Sequence, residues 1–180
     1  MLYFNRYNVN LLSDFMTMKK IFAPLTHRLL TILSIALMLV FSSQVLAKHA
    51  KLVELEKSLA NHKGQVIYLD FWASWCIPCK ASFPWMNEMQ QKYQSQGLKI
   101  ITVNLDADKA HALAFLQEHP ADFDVIYDPN GKIARHFKLP GMPSSMIFNR
   151  AGELVETHVG FTEEKKVKYQ QSLSRLLMEQ

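Results

Sequence analysis

Residues 65–80 read QVIYLDFWASWCIPCK, a nearly continuous β-branched and aromatic run that ends in a C-x-x-C pair. The QVIYLDFWA portion has the character of a strand covered on both faces. Cys76 and Cys79 are the only cysteines in the chain, so they form a staple, part of a metal site or a redox couple. As a staple the pair is weak, because a loop this short contributes only about 2 kcal/mol in the chain-entropy account of disulfides. As a metal site it lacks ligands: the seven histidines are scattered, with no H-x₃₋₅-H partner for a tetrahedral zinc centre. The nine methionines lie mostly in the N-terminal segment or on helical faces, where packing is their expected role rather than copper ligation.

The redox alternative gives each neighbour a physical reason. A cysteine at a helix N-terminus faces unpaired N–H groups that favour its thiolate, the attacking species. Lowering such a pKa from about 8.5 to about 7 raises the thiolate fraction at neutral pH from a few per cent to about half. Cys76 is therefore the expected nucleophile and Cys79, inside the first helical turn, the resolving thiol. Pro78 suits that turn because its missing N–H costs nothing there. Lys80 is either a further positive charge or an ordinary solvated helix residue. Asp70 lies six positions before Cys76 within the hydrophobic run, where a carboxylate is costly unless it is neutral or paired. It is expected beneath the active-site turn as proton acceptor for Cys79, the alternative being an exposed position on the strand.

The rest of the chain alternates helices and strands. A short opening helix carries its apolar face on Leu52, Val53, Leu55, Leu59 and Ala60. A long helix is expected from about Pro78 to Gln96, closed by Gly97. LKIITVNLD is the next buried strand, KAHALAFLQEH a helix stopped by Pro120, DVIY a short strand, and Lys132 to Lys138 a short helix. SSMIFNRAGELVETHVG reads as two strands joined by a turn at Arg150 to Gly152, and Glu163 to Met178 as a terminal helix. This order predicts an α/β fold with a parallel centre and a closing antiparallel hairpin, its chemistry at the carboxyl ends of the strands.

Residues 1–47 differ in character. After Lys19, Lys20 and Arg28 comes an uncharged run from Leu29 to Phe41, then SSQVLA ending at Ala47. A basic flank, a short apolar run and small residues are the parts of a secretory signal. The run is shorter than the roughly 20 residues of a spanning helix, so cleavage after Ala47 is expected, and a retained leader would instead anchor the protein. Met16 or Met18 offers an alternative start. The remainder, residues 48–180, forms one domain without repeats or linkers. Four of the 20 basic residues and one of the 16 acidic residues precede Lys48, which leaves that domain near neutral and gives no nucleic-acid surface.

LDFWASWCIPCK resembles the active-site segment of the thioredoxin superfamily, with the buried acid at Asp70, tryptophan at Trp75 and cysteines at Cys76 and Cys79. Pro84 matches the proline that kinks the family's active-site helix, and GMPSSMIF its cis-proline loop, with Met142 before Pro143. Gly152 and Gly160 match turn glycines of its closing hairpin. The 36 residues between Asp106 and Pro143 exceed the thioredoxin spacing by about one helix and strand. With the export signal, this resembles the TlpA/ResA-like extracytoplasmic branch. The resemblance implies a central mixed sheet flanked by helices, with a helix-strand insertion before the cis-proline loop. It implies a periplasmic or extracytoplasmic reductant of protein disulfides that needs no cofactor beyond its Cys76/Cys79 couple. Trp75, Pro78, Met142 and Pro143 would meet the substrate, and a membrane thiol reductase would supply electrons. The branch often has another residue at the Asp70 position, and Thr102 stands where many thioredoxins carry a lysine. A disulfide donor, and a non-enzymatic metal- or partner-binding module, remain alternatives.

Overall fold

All seven residues of β1 (Val66–Trp72) are buried, which places this strand at the centre of the sheet. The computed structural model describes residues 30–38 and 50–179. The chain divides into two units, Met1–Ala47 and Lys48–Gln180. In the first, residues 30–38 are helical. The expected cleavage point at Ala47 and the alternative starts lie outside the described residues. Among the described residues no helix is long and apolar enough to cross a membrane.

In the second unit α1 (50–61) precedes β1. There follow α2 (Ile77–Tyr93), β2 (Leu98–Asn104), α3 (Lys109–Glu118), β3 (Asp124–Tyr127), α4 (Lys132–His136), β4 (Ser144–Phe148), β5 (Leu154–Val159) and α5 (Glu163–Met178). The sheet order is β3-β2-β1-β4-β5. β1, β2 and β3 run parallel, and β4 and β5 antiparallel. This is the thioredoxin-like mixed sheet, and the long segment before Pro143 supplies α3, edge strand β3 and α4.

Alternation along β1 builds two cores. Val66, Tyr68 and Trp72 pack with residues of α2, α3 and α5, whereas Ile67, Leu69 and Phe71 pack with Leu55 of α1 and Ile133 of α4. Asp70 shares the parity of Tyr68 and Trp72 and so faces the α2/α5 side. α1 corrects one expectation: Val53 is 55% exposed and Ala60 is exposed too. Val53 lies about 200° around the helix from Leu55, so the inward face is Leu52, Leu55 and Leu59. α4 ends at His136, short of the expected Lys138, whose φ of 51° is left-handed. α2 passes into a 3₁₀ turn (Gln94–Gln96) that closes at Gly97 with φ 93°.

Arg150 ties the sheet end remote from the cysteines. Its guanidinium donates to the carbonyls of Gly64, Gln96, Leu177 and Glu179. A Cβ at Gly97 would stand 2.7 Å from Arg150 Nη1.

Candidate active site

β1 delivers the chain to the carboxyl end of the parallel strands, where residues 73–76 turn into α2. Cys76 is the N-cap of α2, and its Sγ accepts from the Cys79 backbone N–H at 3.3 Å. The two sulfurs are disulfide-bonded, with Cα atoms 5.2 Å apart. Cys76 is 5% exposed and Cys79 fully buried. Pro78 sits in the first turn, and Pro84 lies inside α2 without a donor for the preceding turn. Trp75 and Ile77, either side of Cys76, are 67% and 83% exposed, an apolar surface around the disulfide.

The hairpin meets the same end. Phe71 pairs with Ser144, so Pro143 enters β4 beside the carboxyl end of β1. The Met142–Pro143 peptide bond is cis. Pro143 is buried, and Met142 packs partly against the core cluster that holds Cys76 and Cys79. The structure thus brings Trp75, Cys76, Pro78, Cys79, Met142 and Pro143 to one end of the sheet. Lys80 is exposed.

Asp70 is 2% exposed and its Oδ2 is buried without a hydrogen-bond partner. Burial therefore raises its carboxyl well above the usual carboxylate range. Three hydroxyls on this side of the sheet donate elsewhere. Tyr68 donates to Ser145 Oγ at 2.8 Å, Thr102 to the Asp124 carbonyl at 3.1 Å, and Tyr169 to the Gly160 carbonyl at 2.8 Å. Thr102 pairs with Asp70 across β2 and also accepts from Trp72 Nε1. A threonine opposite the acid brings no positive charge to offset its burial.

A second aspartate escaped the sequence reading. Asp106, also 2% exposed, accepts from the backbone N–H and hydroxyl of Ser74 and from the amide of Asn104, at 2.7–2.9 Å. It fastens the turn before Cys76 to the end of β2. Its signal is its place two residues beyond a buried strand, at the carboxyl edge of the sheet. Among the described residues no group of three or more His, Cys, Asp or Glu side chains is arranged to hold a metal.

Comparison with known proteins agrees with this geometry. The Redoxin family profile matches residues 40–173. The thiol-disulfide oxidoreductase ResA of Oceanobacillus iheyensis is 34% identical over 98 residues, 54% of this chain and 51% of that protein. ResA of Bacillus subtilis is 28% identical, over 61% of each chain. The chain therefore spans half to three fifths of the length of these curated relatives. A Chlorobium tepidum structure described as a thiol:disulfide interchange protein DsbE superposes with TM-score 0.65 at 45% identity, over 66% of this chain and 84% of that one. An exposed lipoprotein thioredoxin of Streptococcus pneumoniae strain TIGR4 gives 0.57 at 31% identity, over 66% and 90%.

Proposed function

The chain belongs to the Redoxin family, as a ResA-like member of the thioredoxin superfamily, and from that premise we propose that it is an exported thiol-disulfide oxidoreductase that reduces disulfides in proteins. The observation that carries this reading is Cys76 at the N-cap of α2, its sulfur within reach of a helix amide and bonded to Cys79. A sulfur held there is stabilised as a thiolate once the disulfide is reduced.

In the reducing direction the Cys76 thiolate attacks one sulfur of a substrate disulfide. The Cys76–substrate bond forms, and the substrate's other sulfur leaves as a thiolate that takes up a proton. Cys79 gives its proton to the Asp70 carboxylate, then attacks Cys76 Sγ, closing the internal disulfide and expelling the second substrate thiolate. Two electrons pass to the substrate, and the protein ends in the disulfide form. The acid site favours neutral Asp70, which suits a group that receives a proton during the step. Trp75, Pro78, Met142 and Pro143 form the substrate surface, and a strand of substrate pairs with backbone at the Met142–Pro143 loop. Re-reduction falls to a membrane thiol reductase. The basic and apolar character of the leader sequence supports a periplasmic or other extracytoplasmic location, with membrane contact only if the leader is retained.

Replacing Cys79 by Ala in the full chain tests the reading: expected are mixed disulfides through Cys76, seen as adducts on non-reducing gels and removed by dithiothreitol. Absence of reducible adducts overturns it in favour of a binding module. A redox titration sets the direction, a midpoint below about −230 mV supporting a reductant and one near −120 mV an oxidant.

A further inference from the structure

Between the end of β1 and Cys76 the chain is fastened to β2 step by step. The Leu105 N–H donates to the Trp72 carbonyl at 2.9 Å. Next along both segments, Asp106 takes Ser74 in two places: Oδ2 accepts the backbone N–H at 2.9 Å and Oδ1 the hydroxyl at 2.8 Å. The carboxylate is itself fixed, because Oδ2 also accepts from Asn104 Nδ2 at 2.7 Å and the Asp106 N–H donates to Asn104 Oδ1 at 3.2 Å. Asn104 is fully buried at the last position of β2. Hydrogen bonds to a carboxylate are short and strong, so this clamp carries the order of the sheet out to Ser74.

Beyond Ser74 the support thins. The Trp75 side chain is 67% exposed, and the Cys76 N–H closes the turn by donating to the Ala73 carbonyl at 3.0 Å. Cys76 then meets α2 through the bond from the Cys79 N–H to its Sγ and through the disulfide. The turn is thus held from the sheet by Asp106 and from the helix by the Cys76–Cys79 bond. Reduction removes the second hold and leaves the first. In the dithiol form Cys76 must still sit at the N-cap for the amides of α2 to favour its thiolate, and a turn free to swing averages that geometry away.

We propose that Asp106 is a positioning residue for Cys76: by clamping Ser74 it keeps the reduced Cys76 sulfur at the N-cap of α2 and so sets how much of it is thiolate. This rests on the reading of Cys76 as nucleophile given above. Because the disulfide duplicates the clamp, Asp106 supports the reduced form more than the oxidised one, and its loss tilts the couple towards the disulfide. The Asp106 charge by itself acts the other way, since an anion nearby disfavours a thiolate.

The pH profile of iodoacetamide alkylation at Cys76, read by mass on the reduced full chain, measures the thiolate without turnover. Asp106→Asn keeps the size of the side chain but turns a donor towards donors. Its alkylation midpoint should move to higher pH and its rate at neutral pH fall about threefold, part of what a helix N-terminus gives a thiolate. Ser74→Ala keeps the carboxylate and the backbone bond; its midpoint should move the same way by less, which preserves the test if the first variant folds poorly. In redox titration Asp106→Asn should shift the equilibrium towards the disulfide by up to about tenfold, a midpoint about 30 mV more negative. Its urea midpoint should fall further in the reduced protein than in the oxidised one, because the two differences close one cycle. Asp128→Ala supplies the comparison for stability alone: Asp128 is fully buried and caps α4 through the N–H groups of Lys132, Ile133 and Ala134. That variant should lower the urea midpoint and leave the alkylation midpoint at the wild-type value. Alkylation midpoints unchanged in both clamp variants, or moved to lower pH in Asp106→Asn, overturn the proposal. So does an equal shift in Asp128→Ala. A shifted profile in a protein that forms no mixed disulfides would sink the reductase reading and leave the clamp standing.

Discussion

Asp70 and Asp106 are buried to the same 2% exposure and lie at the same end of the sheet, yet their surroundings are opposite. Asp106 receives donors from Ser74 and Asn104, while Asp70 Oδ2 receives none. A carboxylate surrounded by donors gains from every bond and holds geometry, here the turn before Cys76. A carboxyl deprived of donors and countercharge is driven to its neutral form and becomes a proton exchanger. Burial alone therefore does not identify chemistry; the completeness of the partners around the buried group does.

The largest effect expected from this contrast is at Asp106. Asp106→Ala strands the Ser74 N–H and hydroxyl and the Asn104 amide, and should cost about 3 kcal/mol, read as a lower urea midpoint of the oxidised protein. A midpoint equal to wild type would erase the distinction. At Asp70 the stability change should have the other sign. Its folded pKa lies above the unfolded value of about 3.9, so its contribution is fully present below that pH and is lost as pH rises through the raised folded value. Asp70→Asn should remove this decline and leave the protein more stable than wild type at neutral pH. It should also slow the Cys79 step about a hundredfold, the lower end for a positioned proton acceptor. Denaturation curves that decline alike in both proteins would show that Asp70 has found a partner after all. The smallest effect belongs to Ser74→Ala, which removes the hydroxyl bond to Asp106 but keeps the backbone one; about 1 kcal/mol is expected in the same urea assay.

Much of this arrangement is legible along the chain. The apolar run of β1, the caps and apolar face of α5 and the Gly97 stop of α2 are local signals, and the structure places those elements where the residues indicate. Asp70 stands out because it interrupts a hydrophobic strand. Asp106 does not, since it follows a strand in a polar stretch where aspartate is unremarkable, and its burial depends on Ser74, 32 positions away. The Tyr68–Ser145 bond spans 77 positions, and the placing of Ser145 opposite Asp70 depends on the register of β4 against β1. Such registers follow from pairing between remote segments, which periodicity within one segment does not reveal. Val53 shows the converse: an apolar residue adjacent in sequence to an inward face lies outside it by helix geometry.

The Arg150 tie has a consequence for how this sequence can drift. Gly97 is held by its φ of 93° and again by the guanidinium that would stand 2.7 Å from any Cβ. Losing Arg150 clears the space but not the backbone requirement, and it strips four carbonyls of their donor. Positions 97 and 150 therefore accept change in one order only: the arginine can be lost while the glycine remains, but a side chain at 97 arriving first meets both obstacles together.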